Sequence, residues 1–271
     1  MESYTDFAEV YDEFMDETPY EAWCERIVNL IEKYGISKPK DSEDVTNLSE
    51  EALALLSEKN LVLDLGCGTG TLTEMMASLG YDMMGIDLSY DMIQIAMDKR
   101  EESGNDIMYF CQDMRELELY CTVGTILCIC DSINYLLKPS EIVETLKRVN
   151  NYLFPKGLFI FDFNTDYKYR EVIGNTTIAE NREDCSFIWE NYYDAKSGIN
   201  EYDLTIFVKE DEDLFRRFNE VHYQKGYSYE EMCKLVEQAG LELVTALDSD
   251  NDGPVTKTTE RVIMVCREKG K

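Results

Sequence analysis

A glycine-rich turn at residues 64–70 (DLGCGTG) constrains the fold of this chain more than any other feature. It follows an apolar run at 61–65, which predicts a strand, and precedes residues 71–74 (TLTE), which predict a capping box and a helix. Glycine lets the backbone turn sharply and approach a ligand closely, and the helix behind it offers free N–H groups. The turn therefore predicts a ligand-binding loop at the end of a parallel strand.

The spacing within this turn argues against a dinucleotide. The glycines follow the pattern G-x-G-x-G, and Thr71 stands where the third glycine of a dinucleotide loop is expected. Asp64, two residues before the first glycine, would repel a pyrophosphate and would attract an ammonium or sulfonium group. We therefore expect a ligand that carries positive charge.

Two further acids end the next two predicted strands. Asp87 closes the run YDMMGID, where a carboxylate can bind both hydroxyls of a ribose. Asp113 closes the run IMYFCQD and either accepts a hydrogen bond from an adenine amino group, with Met92 and Met114 facing the ring, or caps a helix. Together with the acid of the glycine-rich turn they lie at the carboxyl ends of parallel strands, where open α/β sheets bind ligands.

Alternating strands and helices over most of the chain predict βαβ units and a mostly parallel sheet, an α/β fold. Residues 165–225 break the alternation with consecutive short strands, which predict an inserted antiparallel meander. Two amphipathic helices precede the sheet, and Thr18 is predicted to open the second with a capping box, as Ser228 is predicted to cap the last helix of the chain. The predicted domains are an N-terminal helical cap at 1–47 with a polar linker at 36–47, a core at 48–163 and 227–271, and an inserted β lid or substrate subdomain at 164–226.

The run LDLGCGTG, followed by GIDLS and CQDM, resembles the class I S-adenosylmethionine-dependent methyltransferase family. FAEVYDEFM, PYEAW, DSINYL and a histidine-containing strand before the last helix are similar to small-molecule members, such as sugar N-methyltransferases. The resemblance implies a Rossmann-like, seven-stranded, mostly parallel sheet whose last strand is antiparallel. It also implies that the N-terminal helices and the meander cover S-adenosylmethionine, the methyl donor that leaves as S-adenosylhomocysteine, and form the acceptor pocket.

The resemblance also assigns cofactor contacts residue by residue. Cys67 stands where the family commonly carries Cys or Ser, and Cys130 and Asp131 stand where the family lines the methyl group. It implies that the methionine part of the cofactor is held by Asp64, Gly66, Cys67, Gly68 and Gly70, the ribose by Asp87, and the adenine by Leu88, Met92, Gln112, Asp113 and Met114.

Two aromatic residues of the N-terminal helices have two interpretations. Tyr11 and Trp23 can form a lid that meets the sulfonium and the acceptor, partly by cation–π attraction. Alternatively, they pack the cores of two amphipathic helices. The sequence leaves both interpretations open.

Three candidate catalytic residues lie beyond the cofactor motifs, together with the hydroxyl of Tyr11. Asp131 and Tyr135 follow the fourth strand and either contact the site or shape a turn. Tyr135 stands where the related sugar N-methyltransferases carry a histidine. His222 alternates with Glu220 and Gln224 on one strand face, which forms either a pocket wall that can accept a proton or a polar face in solvent.

The charge of the chain limits its partners. It carries 55 acidic and 26 basic residues, a formal net charge of −29, so nucleic acid or an anionic membrane surface would be repelled. We expect a small-molecule acceptor, with an amine favoured by the acidic surroundings. We expect no nucleic-acid or membrane partner, and a monomer or homodimer.

Cysteine usage and the N-terminus indicate the compartment. The nine cysteines form no C-x-x-C pair, which favours reduced thiols in the cytoplasm. The single histidine argues against a multi-histidine metal centre, and we expect no metal. The acidic N-terminus lacks the apolar region of a signal peptide, and no apolar run approaches the ~20 residues of a membrane helix.

These features predict an enzyme that moves a methyl group to nitrogen or oxygen of a small molecule by in-line displacement. His222 or Asp131 would accept the acceptor's proton. The alternatives are a protein methyltransferase, or a protein of this fold that binds the cofactor for a regulatory purpose. A nicotinamide-dependent oxidoreductase is disfavoured by the glycine spacing and by Asp64.

Overall fold

The computed structural model describes residues 7–42, 45–46, 48–211 and 214–271 of the 271-residue chain. Residues 1–6, 43–44 and 47 of the predicted cap, and 212–213 of the predicted insertion, lie outside the described residues. Within the described part, no helix combines the length and apolarity that crossing a bilayer requires.

The described helices and strands alternate along most of the chain. The helices are α1 (Ala8–Phe14), α2 (Tyr20–Tyr34), α3 (Glu50–Asn60), α4 (Thr71–Ser78), α5 (Tyr90–Ser103), α6 (Pro139–Tyr152) and α7 (Tyr229–Gln238). The strands are β1 (Leu61–Leu65), β2 (Asp82–Asp87), β3 (Ile107–Cys111), β4 (Val123–Cys128), β5 (Leu153–Asn164), β6 (Thr177–Asn181), β7 (Cys185–Asp194), β8 (Ile199–Asp211), β9 (Leu214–Lys225), β10 (Glu242–Asp248) and β11 (Arg261–Arg267).

The large sheet has the order β10-β11-β5-β4-β1-β2-β3. Its strands run parallel except β11, which pairs antiparallel with both β5 and β10. β1 and β4 are buried along their whole length, because helices cover both faces of the sheet and leave no polar side to expose. The predicted Rossmann-like sheet with an antiparallel last strand is confirmed.

The core of the large sheet lies on both of its faces. On one face, Leu63 of β1 and Phe159 of β5 pack with Leu146 of α6. On the other face, Val62 of β1 packs with residues of α2 and α4, among them Met76. Burial of each such side chain contributes about 1.5–3 kcal/mol. This two-sided core holds the carboxyl ends of the parallel strands at one edge.

The second sheet, β6-β7-β8-β9, is antiparallel throughout, as the meander prediction requires. Its inner face has two halves. One half is apolar around Leu204 and Ile206, and α1 covers it with Val10. The other half is polar and is formed by buried Tyr202, Asn200, Glu220, His222 and Gln224.

Two of the helix starts test the predicted capping motifs. α2 begins after Pro19 with no side-chain cap, so the capping box predicted at Thr18 is wrong. The Thr18 hydroxyl donates instead to the sulfur of Met15, 3.6 Å away. At α7, Ser228 accepts from the Glu231 N–H at 3.2 Å, as predicted.

We expect Gly124→Ala to lower the free energy of unfolding by at least about 2 kcal/mol. A β-carbon at this position of β4 would overlap the backbone carbonyl oxygen of Lys59, at the end of α3, and the Ser37 hydroxyl. A backbone atom within a packed layer cannot move aside. Urea denaturation measures the loss.

Gly270→Ala is the control, because no described atom lies within 4 Å of a β-carbon placed there, and its exposed backbone, outside any helix or strand, can relax the φ of 123° that alanine disfavours. It is expected to change the free energy of unfolding by less than about 0.5 kcal/mol. Equal unfolding midpoints for the two variants would contradict the assigned contact.

Candidate functional site

A cavity of about 490 Å³ lies at the carboxyl ends of β1, β2, β3 and β4. It brings together most of the residues selected from the sequence. Gly70, Asp131 and His222 are not part of its wall and lie behind it. The selected residues that line it are Tyr11, Trp23, Asp64, Gly66, Cys67, Gly68, Asp87, Leu88, Met92, Gln112, Asp113, Met114, Cys130 and Tyr135.

The glycine-rich turn bounds the cavity with left-handed backbone. Gly68 has φ 54°, and among the described residues no atom lies within 4 Å of a β-carbon placed there, so its backbone is open to a ligand. A β-carbon at Gly70, φ 77°, would lie 2.6 Å from the Tyr109 hydroxyl, so this glycine serves packing. Gly70 is also the N-cap of α4 and Thr71 its first helical residue, so the capping box predicted at Thr71 is wrong.

Asp64 places a buried carboxyl group at the centre of the site. It is 2% exposed and accepts a hydrogen bond from the Thr73 hydroxyl at 2.7 Å. Burial, with a smaller contribution from the charge of Asp87, raises its pKa to about 6 against the effect of that hydrogen bond. A positive ligand in the cavity would favour the ionised carboxylate.

Asp87 is held in one orientation at the end of β2. Its Oδ2 accepts from the Gly68 N–H and its Oδ1 from the Ser89 N–H, both at 2.8 Å. Burial raises the pKa of this carboxyl above its ordinary value, although the backbone N–H groups lower it. Each oxygen keeps one lone pair for a further donor. The group can therefore accept hydrogen bonds from a ligand that carries two hydroxyls.

Asp113 is paired with a residue that the sequence analysis did not select. Arg115 donates to its carboxylate from Nε at 3.0 Å and from Nη2 at 2.5 Å. Burial raises the pKa of Asp113, but the hydrogen bonds from Arg115 outweigh it and hold the pKa below its ordinary value. Asp113 also caps the short 3₁₀ turn Met114–Glu116, so an adenine amino group would share this carboxylate with Arg115.

The loop after β4 is strained and tied down from behind. Cys130 and Asp131 adopt left-handed backbone at φ 63° and 51°, which costs about 1–3 kcal/mol each. The Asp131 N–H donates to Asp162 at 2.7 Å, and Arg261 binds Asp131 at 2.5 Å and Asp162 at 2.9 Å. Gln224 donates to the other Asp131 oxygen at 2.7 Å.

These contacts argue against the predicted role of Asp131 as a base. Both of its carboxylate oxygens accept hydrogen bonds, one from Gln224 and the other from the Arg261 guanidinium. Its side chain also lies behind the cavity wall. We assign Asp131 to holding the loop in place rather than to proton transfer.

Tyr135 connects the cavity to the buried histidine. Its hydroxyl lies 3.3 Å from Nδ1 of His222, and the two rings meet edge to face. Nε2 of His222 lies 3.2 Å from Oε2 of Glu220. His222 is 4% exposed and Glu220 6%, so the interpretation of this strand face as solvent-exposed is wrong. The loop after β4 and α1 cover it.

The helix α1 borders the cavity. Tyr11 lines it, and the neighbouring Asp12 accepts from the Thr69 hydroxyl at 2.7 Å and pairs with Lys99 at 2.6 Å. The helix therefore connects the glycine-rich turn and α5 to the second sheet.

Trp23 on α2 lies both at the site and in the helix core, the two positions that its interpretations required. It lines the cavity and also packs against the core. The Arg261 guanidinium lies 5.6 Å from the centroid of the Trp23 ring. The Tyr20 ring meets the Trp23 ring edge to face, also with 5.6 Å between centroids.

Several lining residues escaped the sequence analysis. Thr69 and Ser89 lie within the quoted motifs DLGCGTG and GIDLS, Tyr20 within PYEAW, and Ser132 and Leu136 within DSINYL, so these motifs were the available signal. Tyr90 and Arg115 carry no local pattern of their own. The missed lining residues include Tyr20, Thr69, Ser89, Tyr90, Arg115, Ser132 and Leu136.

Known proteins share this architecture. A family model described as a methyltransferase domain matches residues 62–157. A protein of Geobacillus sp. (strain WCH70) named "Putative methyltransferase" is 31% identical over 98% of this chain and 100% of its own length.

Two solved structures extend the comparison. A S-adenosylmethionine-dependent methyltransferase from Clostridium acetobutylicum ATCC 824 has a TM-score of 0.81 and 27% identity, covering 99% of this chain and 100% of that one. SAM-bound CalS10, an amino pentose methyltransferase from Micromonospora echinaspora, has a TM-score of 0.68 and 16% identity over 99% of each chain, and so shares the fold. The strand order, the glycine-rich turn and these matches together place the chain in the family of class I S-adenosylmethionine-dependent methyltransferases.

Proposed function

We propose that this enzyme transfers the methyl group to a nitrogen or oxygen atom of a small molecule. The observation that carries the proposal is the Tyr135 hydroxyl, which lines the cavity and contacts the buried imidazole of His222. Acceptors that carry N–H or O–H must lose a proton during methylation. A positioned base of this kind contributes on the order of 10²–10⁴-fold in rate.

The residues around the cavity suit S-adenosylmethionine. The open backbone at Gly68 and the carboxyl of Asp64 would hold the methionine end, and Asp87 would accept from the two ribose hydroxyls. Bound there, S-adenosylmethionine supplies an electrophilic methyl group on a positively charged sulfur. The adenine would be surrounded by Leu88, Met92, Gln112, Asp113 and Met114.

The methyl end of the cavity is aromatic and has little free charge. Tyr11, Trp23 and Tyr135 line it, with Cys130 between them, whose pKa burial raises to about 12. Aromatic faces attract a sulfonium or an ammonium group, and they exclude water from the reacting atoms. The chain itself carries a net charge of −29, which favours an amine acceptor over an anionic one.

An acceptor panel tests the proposal. Amines, including amino pentoses, are compared with phenols and alcohols, and formation of S-adenosylhomocysteine is measured for each. We expect turnover above the rate without acceptor, fastest with an amine. Turnover with protein substrates only, or with no acceptor while S-adenosylmethionine still binds, would overturn the small-molecule assignment.

Asp87→Asn is expected to weaken S-adenosylmethionine binding by roughly 10- to 100-fold, because a hydrogen bond to a charged group contributes about 1.5–3 kcal/mol. Calorimetric titration measures the affinity. Asp98→Asn makes the same charge change on the exposed side of α5 and is expected to alter it by less than about twofold. Equal affinities in the two variants would remove Asp87 from the cofactor site.

The affinity for S-adenosylmethionine is expected to rise with pH through about 6. Burial keeps part of Asp64 protonated below that value, whereas a positive ligand binds best to the ionised form, so binding releases a proton there. Titrations between pH 5 and 8 measure the trend. The Asp64→Asn variant should bind S-adenosylmethionine more weakly, and its affinity should rise much less with pH. A wild-type affinity that stays constant over this range would contradict the assignment of Asp64 to the cofactor site.

Tyr135→Phe is expected to lower kcat by at least about tenfold while the affinity for S-adenosylmethionine stays within twofold, because the variant loses only the hydroxyl that contacts His222. Tyr223→Phe, which removes a hydroxyl from the opposite, exposed face of β9, is the control. Equal kcat values in the two variants would exclude Tyr135 from proton transfer.

A further inference from the structure

Glu220 lies between α1, which borders the cavity, and the buried histidine. Its Oε1 accepts a hydrogen bond from the Phe7 N–H at 3.0 Å, at the start of α1. Its Oε2 lies 3.2 Å from Nε2 of His222. One carboxylate thus contacts the main chain of α1 with one oxygen and the imidazole with the other.

We propose that Glu220 is a positioning residue through which docking of α1 orients His222 for proton transfer. The inference rests on the proposed function, in which His222 accepts the proton of the acceptor through Tyr135. It adds that the base is assembled only when α1 covers the cavity.

The docking of α1 is built from contacts on two of its sides. Phe14 packs on Phe187 of the second sheet at 4.9 Å between ring centroids, and Val10 is 3% exposed against the same sheet. On the other side Asp12 pairs with Lys99. Tyr11 between them lines the cavity. Displacement of this helix would therefore open the cavity and remove the Phe7 hydrogen bond in one movement.

The carboxylate determines which imidazole nitrogen carries the proton. A negative oxygen beside Nε2 favours the tautomer protonated at Nε2, which leaves Nδ1 as an acceptor for the Tyr135 hydroxyl. In the reaction, Tyr135 passes its hydroxyl proton to Nδ1 and takes up the proton of the acceptor. The resulting imidazolium is then stabilised by the charge of Glu220. A carboxylate free to rotate would hold neither the tautomer nor the charge in place.

Two variants separate the charge from the backbone contact. Glu220→Gln removes the charge, and kcat is expected to fall at least about tenfold with the affinity for S-adenosylmethionine within twofold. Phe7→Pro removes only the N–H and the ring, at a position before the helix whose φ of −65° proline can adopt. Phe7→Ala loses the ring but keeps the N–H, so it is the matched control. We expect Phe7→Pro to have a kcat about fivefold below that of Phe7→Ala.

A second readout needs neither cofactor nor acceptor. His222 is the only histidine of the chain, so nitrogen NMR of imidazole-labelled protein reports on it alone. We expect the Nε2-protonated tautomer in the wild type and in Phe7→Ala under alkaline conditions, and a mixture of tautomers in Glu220→Gln and Phe7→Pro.

The outcomes separate the two proposals. Identical spectra and equal kcat values for Phe7→Pro and Phe7→Ala would overturn the coupling and leave the proposed function intact. The Nδ1-protonated tautomer of His222 in the wild type would overturn the coupling as well. Failure of the wild type to turn over any small acceptor would overturn the proposed function, and the tautomer would then decide the coupling on its own.

Discussion

The guanidinium of Arg261 joins the separate parts of the chain that meet at this site. It stands at the start of β11, the last strand, and pairs with Asp162 of β5 and with Asp131 after β4. Removing one partner of such a mostly buried group costs about 3–5 kcal/mol, because the remaining charges lose their compensation. Without Arg261, two neighbouring carboxylates would repel each other at the point where the left-handed loop needs support.

The same ion pair connects the sheet to its cover. Asp131 also accepts from Gln224 of β9, and the Arg261 guanidinium lies against the face of Trp23 on α2. The loop after β4 is thereby held in place by the second sheet, by the last strand and by α2, whose Trp23 ring contacts Arg261. This support allows Tyr135, four residues farther on, to stand between the cavity and His222.

The two ends of the cavity follow from different levels of organisation. The end near Asp64 and Asp87 is built from consecutive strand–loop–helix units, where a short stretch of chain supplies both the ligand contact and its scaffold. The end lined by Tyr11, Trp23 and Tyr135 is assembled from α1, α2, the loop after β4 and, behind the wall, the second sheet. Variation in these covering segments can change the acceptor while the sheet continues to hold the same cofactor.

Local patterns predicted the sheet, the glycine-rich turn, the strand-end acids and the meander. These features depend on periodicity and on backbone conformations that few residues other than glycine adopt. The same reasoning failed at Thr18 and Thr71, because the position of an N-cap depends on where the preceding chain turns. It also left Tyr11 and Trp23 with two interpretations.

Contacts between distant segments lay beyond any local pattern. Asp131 has the residue type of a base, yet Arg261, 130 positions away, binds it. His222 alternates with polar neighbours as an exposed residue would, yet α1 and the Tyr135 loop bury it. The amino-acid order was enough to predict the sheet and the strand ends at which the cavity lies, because both form from neighbouring residues. Tertiary structure decided which groups contact the buried acids and the single histidine, because pairing and burial depend on which distant segments pack together.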